Sequence, residues 1–326
     1  MSGFKKSTIS TILRQKLNSW FATIDDQNVL AAIKADVIVS GGAIASMLAG
    51  DKINDYDVYF RTKSTAEKVA QYYVNKFNKA NELTGKSRLN PVVRNIVRKN
   101  IKGAEEERVV VWMQSSGIAS ETQGEYDYFE SQPEAATEDF MGSLHGSEAT
   151  WTQEEALDTA LEAASTKNKE RYRPVFFSEN AVTLSDKMQI VIRFYGEPEK
   201  IHENYDYAHC MCYYDFAKRE LSTPTDALEA ILSKALIYKG SLYPIASLFR
   251  LRKFIARGWR ITAGQMLKII WQLNGVDLSD PETLREQLIG VDQAYMRQLL
   301  RALESREPGT RVDATYIAAL IDQIFE

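Results

Sequence analysis

The sequence predicts an α+β protein: a head with a short mixed β-sheet, followed by an all-α C-terminal domain. Three observations carry that class. An apolar run, Val37 to Val39, meets the pair Gly41-Gly42, a small-residue helix and then the strand-like Asp55-Tyr56-Asp57-Val58-Tyr59-Phe60. β-branched and aromatic runs of strand length recur at Ala181–Leu184, Met188–Tyr195 and Tyr205–Asp215. Beyond Leu221 the apolar spacing becomes helical, which places the boundary there and gives domains 1–221 and 222–326.

In chain order, Ile9, Ile12, Leu13, Leu17, Trp20, Phe21, Ile24, Val29, Leu30 and Ile33 recur at helical spacing and predict one or two helices beside the head sheet. Thr65–Phe77 predicts the amphipathic crossover helix after the Asp strand, and Arg108–Met113 a strand. The head is interrupted by an acidic insertion at about 104–165, read as a loop over 114–150 and as helix-like over 152–164. Thr223-Pro-Thr-Asp226 is a helix-start signature, and Gly240, Asn274-Gly275, Asp280-Pro281 and Pro308-Gly309 punctuate the helical part.

Apolar residues make up 44% and the net charge is −4, so the chain reads as an ordinary globular protein rather than a general polyanion binder. The charge is unevenly spread: Lys76 to Lys102 is basic, and from Glu105 to Glu162 Arg108 is the only Lys or Arg. No run approaches the ~20 apolar residues of a membrane span, and Met1–Lys16 is polar and basic, so a cytoplasmic setting and no membrane partner are expected. Cys210 and Cys212 are too close for an ordinary disulfide and too few for a zinc site.

Alternation along a strand puts Asp55 and Asp57 on one face, roughly 7 Å apart at Cα. Two carboxylates so placed suit a pair of Mg²⁺ ions that stabilise the attacking and leaving oxygens of an in-line displacement. The glycines allow close backbone approach, and the helix after them offers N–H groups to a triphosphate, which makes Ser40, Gly41 and Gly42 the candidate phosphate cradle. The plain alternative is a βα turn with an incidental surface Asp pair.

A two-metal site wants a third acid from a neighbouring strand. Read as a strand, Tyr205–Asp215 places Asp206 on a face with Ala208, Cys210 and Cys212, where a carboxylate is costly to bury without a cation. Asp215, beside Lys218 and Arg219, reads as a turn or cap residue. In the helix from Pro244 to Arg257, Leu248, Leu251 and Ile255 form the expected apolar stripe. Arg250, Arg252 and Arg257, with Arg193 at its strand end, are candidate triphosphate or RNA contacts, a solvated basic face being the alternative. His202 and His209 read as structural, and Trp259 and Trp271 as core.

Gly41-Gly42 followed by Asp55-x-Asp57 resembles the head of the DNA polymerase β-type nucleotidyltransferase superfamily. The likeness is to class II CCA-adding enzymes and bacterial poly(A) polymerases, and it extends to viral and phage members of the superfamily. Tyr205–Asp215 is similar to the class II segment running from Arg-Arg-Asp to Tyr-Asp, and Tyr243–Ile261 to the class II neck. Three departures stand out: Ala45-Ser46 replaces an Arg-Asp pair, Asn204-Tyr205 replaces Arg-Arg, and the neck lacks a Glu-Asp-x-x-Arg motif.

The resemblance implies Mg²⁺-dependent transfer of an NMP from an NTP to a hydroxyl, an RNA or tRNA 3′ end being the expected acceptor. In that scheme Asp55 and Asp57 bind the metals, and Asp206 serves as third ligand or orients the hydroxyl. The departures weaken the expectation of CCA addition specifically. The rivals are transfer to a protein or small molecule, and a catalytically inactive fold serving as a structural or virion component.

Overall fold

The computed structural model describes residues 3–84, 91–99, 105–113 and 171–277, together with Thr283, Gln287, Thr315, Tyr316 and Ala319. The loop at 114–150, the helix-like 152–164 stretch and the helix signals beyond 277 lie outside the described residues. The chain divides into two compact units. Unit 1 holds Met1–Arg98, Glu105–His202 and His209–Ile231; unit 2 holds Lys99–Ala104, Glu203–Ala208 and Leu232–Glu326.

Unit 1 is a mixed α+β assembly, as its sequence predicts. Helix α1 (Lys6–Phe21) buries Ile9, Leu13, Leu17 and Trp20 at the expected helical intervals, and the Trp20 indole donates to the Tyr73 hydroxyl at 2.6 Å. Helix α2 (Gln27–Asp36) starts at Asp26, whose carboxylate accepts from the Asn28 and Val29 amides. It leads into β1 (Val37–Ser40), buried throughout. Helix α3 (Gly42–Ala49) ends on Gly50 at φ 74°, a left-handed cap that glycine adopts without strain. Then come β2 (Tyr56–Phe60), the long helix α4 (Lys63–Thr84), and a separate two-stranded sheet of β3 (Pro91–Lys99) and β4 (Glu105–Met113).

Strands β6 (Ala181–Leu184) and β7 (Met188–Tyr195) fall where the β-branched runs predict them, and β5 (Pro174–Phe177) pairs antiparallel with β6. Helix α5 (Pro198–His202) follows, and β8 (Tyr213–Asp215) and β9 (Glu220–Ser222) close the sheet. Helix α6 (Thr225–Ser233) begins at the predicted start signature. The sheet has the order β5-β6-β7-β2-β1-β8-β9 and is mixed, because β2 runs parallel to β7 and antiparallel to β1. Val39, Val58, Ile190 and Tyr214 share one wholly buried face, while the other carries Ser40, Asp57, Gln189 and Tyr213.

Two local expectations are corrected. Residues 205–215 do not form one strand: Ala208–Met211 is a 3-10 turn, and only Tyr213–Asp215 pairs in the sheet. The alternation argument that grouped Asp206 with Ala208, Cys210 and Cys212 therefore fails. In addition, Asp55 precedes β2 rather than opening it.

Unit 2 is built on aromatic packing and side-chain-to-backbone bonds. Residues 206–208 lie along 237–239: Lys239 donates to the Asp206 carbonyl at 2.7 Å, and Ala208 to the Ile237 carbonyl at 3.0 Å. The Tyr207 ring meets Tyr238 and Phe254, and its hydroxyl donates to the Ser247 carbonyl. Helix α7 (Pro244–Ala256) opens with proline, which suits a first-turn position. Its buried side is Ile245, Ala246, Ser247 and Leu251, while Leu248 and Ile255 are exposed, so the predicted stripe is rotated. Helix α8 (Ala263–Leu273) buries Ile269. Trp259 is core, as read; Trp271 is 79% exposed and is not. No helix among the described residues is long and apolar enough to cross a membrane.

Candidate functional site

The candidate chemistry gathers at one edge of the unit 1 sheet. Ser40 ends β1 and pairs in register with Asp57, so the Gly41-Gly42 turn begins beside the carboxylate-bearing strand. Gly41 takes φ 100° and ψ −155°, a conformation that residues with a Cβ rarely adopt. Gly42 opens α3, and a Cβ added there would meet nothing within 4 Å, so Gly42 borders open space while Gly41 is buried. The N-cap of α3 is Gly41, which has no side chain to bond the first amides, and these carry the positive end of the helix dipole. Asp57 is half-buried, and Asp55 is exposed one residue before the strand.

Ser40 is fully buried, with its hydroxyl turned inward. It lies 2.9 Å from the His202 Nε2 and donates to the Cys212 carbonyl at 3.1 Å. A hydroxyl has one proton, so with that proton on the carbonyl the ring nitrogen is the donor. Burial pushes His202 down to about 4, with Glu199 opposing, so the ring is neutral near pH 7. Its edge packs on Tyr213. The Ser40 side chain therefore ties β1 to α5 and to the residue just before β8, rather than pointing out as a phosphate ligand. Burial likewise pushes the Cys212 thiol up to about 12.

The strands on either side of β2 decide what else can reach Asp57. On the shared face β1 offers Ile38 and Ser40, and β7 offers Gln189, directly opposite Asp57, then Val191. Neither strand supplies a carboxylate there. Asp215, one strand further out, accepts from Arg61 at 2.5 Å and from the Lys218 amide at 3.0 Å, and is 1% exposed. Among the described residues, no group of three or more His, Cys, Asp or Glu is arranged to hold a metal ion.

The remaining sequence-derived candidates lie apart from this edge or in the other unit. Asp206 belongs to unit 2, where it is 5% exposed and bonded to Arg250 at 2.5 Å. Arg252 and Arg257 are exposed on and just beyond α7 in the same unit. Arg193 is buried in unit 1, roughly 13 Å along β7 from Gln189 at strand rise. Its Nη2 lies 4.0 Å from Glu106, which also binds Arg108. A groove of about 490 Å³ lined by Asp25, Lys68, Tyr72 and Lys76 includes no residue of the glycine turn or acid strand.

Sequence reasoning missed two residues of the edge. Gln189 becomes visible only through the parallel pairing of β2 with β7, which joins segments about 130 residues apart. Lys187, whose Nζ lies 3.4 Å from the Ile53 carbonyl, is drawn there by the β6–β7 turn. Desolvation and Lys52 lower its proton affinity, while Asp55 raises it.

The family model of the Gabija anti-defense 2 family matches residues 11–234, from within α1 to the end of α6. The chain belongs to the Gabija anti-defense 2 family. A protein of Bacillus phage SPbetaL7, named Gabija anti-defense 2, is 23% identical over 107 residues, covering 32% of this chain and 27% of that protein. The chain thus matches about a quarter of that relative's length. No solved structure matches. The family match takes in the glycine turn, the acid strand and the whole seven-stranded sheet.

Proposed function

We propose that this chain counters the Gabija defence, as the name of its family says, through Mg²⁺-dependent handling of a nucleoside triphosphate at the Gly41-Gly42 edge of unit 1. The reading rests on one observation: Ser40 and Asp57 are register partners, which sets a helix N-terminus with glycine at its N-cap beside a half-exposed carboxylate. Phosphate oxygens would meet the α3 amides. Asp57 and Asp55 are the residues that would hold a divalent ion, which when bound neutralises phosphate charge. The Asp206 carboxylate, expected as the third ligand, is bonded to Arg250, so the proposed ion site is built on Asp55 and Asp57.

The proposed reaction is NMP transfer. An acceptor hydroxyl oxygen bonds to the α-phosphorus, the bond from that phosphorus to the bridging oxygen breaks, pyrophosphate leaves, and the hydroxyl proton passes to solvent or a carboxylate. The acceptor is a hydroxyl on a Gabija component or on an RNA end. A second reading, nucleotide capture without transfer, is favoured by Gln189, which puts an amide where a neighbouring strand could have put a third carboxylate.

Each labelled NTP is incubated with Mg²⁺, the protein, purified Gabija components and total RNA. Label on an acceptor, lost in Asp57→Ala, is the expected result. Retained nucleotide without labelled acceptor selects capture. If the folded chain binds no NTP in Mg²⁺, both readings fail.

A further inference from the structure

The acid strand is anchored by a turn far away in sequence. The β6–β7 connection spans Ser185–Lys187, and both Asp186 (φ 62°) and Lys187 (φ 57°) take left-handed backbone conformations that side chains disfavour. The two carbonyls of this turn have separate partners. The Asp186 carbonyl accepts from the Lys16 ammonium at 2.5 Å, and the Lys187 carbonyl accepts from the Tyr56 amide, the first residue of β2, at 2.8 Å.

Lys16 is enclosed on several sides. Its ammonium lies 5.0 Å from the centre of the Tyr56 ring and 5.2 Å from that of Tyr172, both within cation–π reach. The Tyr172 hydroxyl donates back to the Lys16 carbonyl at 3.3 Å. The Asp186 carboxylate accepts from the Tyr172 amide and the Ser185 hydroxyl and pairs with Arg171, which fixes the turn from its other side. Leu13 and Leu17 hold the same stretch of α1 in the core, so the lysine stem has little freedom.

We infer that Lys16 is a positioning residue: it clamps the Asp186-Lys187 turn so that the Lys187 carbonyl fixes Tyr56, and with it the placing of Asp55 and Asp57. The clamp is a claim about the strand; its effect on ligand binding rests on the nucleotide reading above. Strain in the turn is tolerated because a cation and a strand amide each hold one of its carbonyls.

Amide hydrogen exchange tests the clamp. In Lys16→Met, which keeps the stem and removes the donors, the Tyr56 amide is expected to exchange at least tenfold faster relative to the Val39 amide of the same variant. Lys16→Arg, which keeps donors, is expected to stay within about threefold of the unmodified protein. Equal acceleration of Tyr56 and Val39, as general destabilisation would give, overturns the inference, and so does no change at Tyr56. Leu13→Ala supplies the general-destabilisation control.

Should Lys16→Met not fold, acetylation of the unmodified protein decides: per neutral amine, from rates followed across pH, Lys16 is expected to react at least twentyfold more slowly than exposed Lys5, and equal rates per neutral amine overturn the clamp. ATP binding in Mn²⁺ is measured in parallel. An unmodified protein that binds no ATP while the exchange result holds removes the nucleotide reading and leaves the clamp standing. Unchanged exchange with intact ATP binding removes the clamp alone.

Discussion

Asp57 and Asp206 are both acids in apolar, aromatic sequence, and the structure treats them oppositely. Asp57 sits in a strand, half-open, with neutral register partners Ser40 and Gln189. Asp206 sits in an irregular segment, 5% exposed, with the Arg250 guanidinium on its carboxylate. The first is open to solvent between neutral register partners, and the second is buried against a cation of the same chain. What an acid can do depends on the cation nearest it, and that cation lies 44 residues away in the second case.

The sharpest way to break this contrast is to remove Arg250. Arg250→Ala leaves a buried carboxylate without its counter-ion and is expected to cost about 3 kcal/mol in urea unfolding. The double variant Asp206→Asn with Arg250→Met is expected to regain most of that. A loss below about 0.5 kcal/mol in the single variant would show that Asp206 does not depend on Arg250 for its burial.

The next effect tests what anchors the strand of Asp57. Burial pushes Lys16 down to about 8 from an ordinary 10.5, with Asp186 opposing and Arg171 and Lys187 adding to the fall. Between these values the unfolded chain binds more protons than the folded one, so stability rises with pH. Between pH 8 and 10 the gain is expected to approach at most about 2.7 kcal/mol, at 1.36 kcal/mol per unit. Cys212, pushed up to about 12 from an ordinary 9, offsets the Lys16 gain above about pH 9, and Tyr56, pushed up to about 12 by burial, turns the slope downward above pH 10. Urea unfolding across this range should show the slope, and Lys16→Met should flatten it.

His202 sharpens the comparison from the Ser40 side. Its folded value of about 4 lies below the ordinary 6.5, so stability is fully present above 6.5 and declines as pH falls towards 4. The ring is only partly buried, so the loss is expected to be about 1–2 kcal/mol after allowing for screening. NMR titration of the ring, and loss of the slope in His202→Gln, are the checks. The smallest effect belongs to Asp57 itself: Asp57→Asn is expected to change stability by less than about 0.5 kcal/mol. A large loss would mean that Asp57 is structural, and the contrast with Asp206 would disappear.

The legible parts of the molecule are those whose pattern is local. The Ile9-Leu13-Leu17 spacing, the Gly41-Gly42 turn, the Met188–Tyr195 run and the Thr223-Pro-Thr-Asp226 start each produce their element through short-range sterics and burial. Tyr205–Asp215 has equally strong β character, yet 206–208 is drawn along 237–239 and Ala208–Met211 winds into a 3-10 turn. There tertiary bonding overrides propensity. Of the candidate site, the glycines and the Asp pair were visible in sequence. Gln189 was hidden behind a parallel crossover, and Ser40 points inward because His202 and the Cys212 carbonyl claim its hydroxyl.

The path of the chain has a practical consequence. Glu203–Ala208 belongs to unit 2, while the residues on either side belong to unit 1. No single scission therefore releases two finished pieces: a fragment stopping near 221 would carry Tyr207 and Ala208 with the aromatic bed they fill left behind on the discarded portion. Anyone dissecting this protein, and any recombination event reshuffling its gene, must take both units together, since Lys99–Ala104 is also assigned to unit 2.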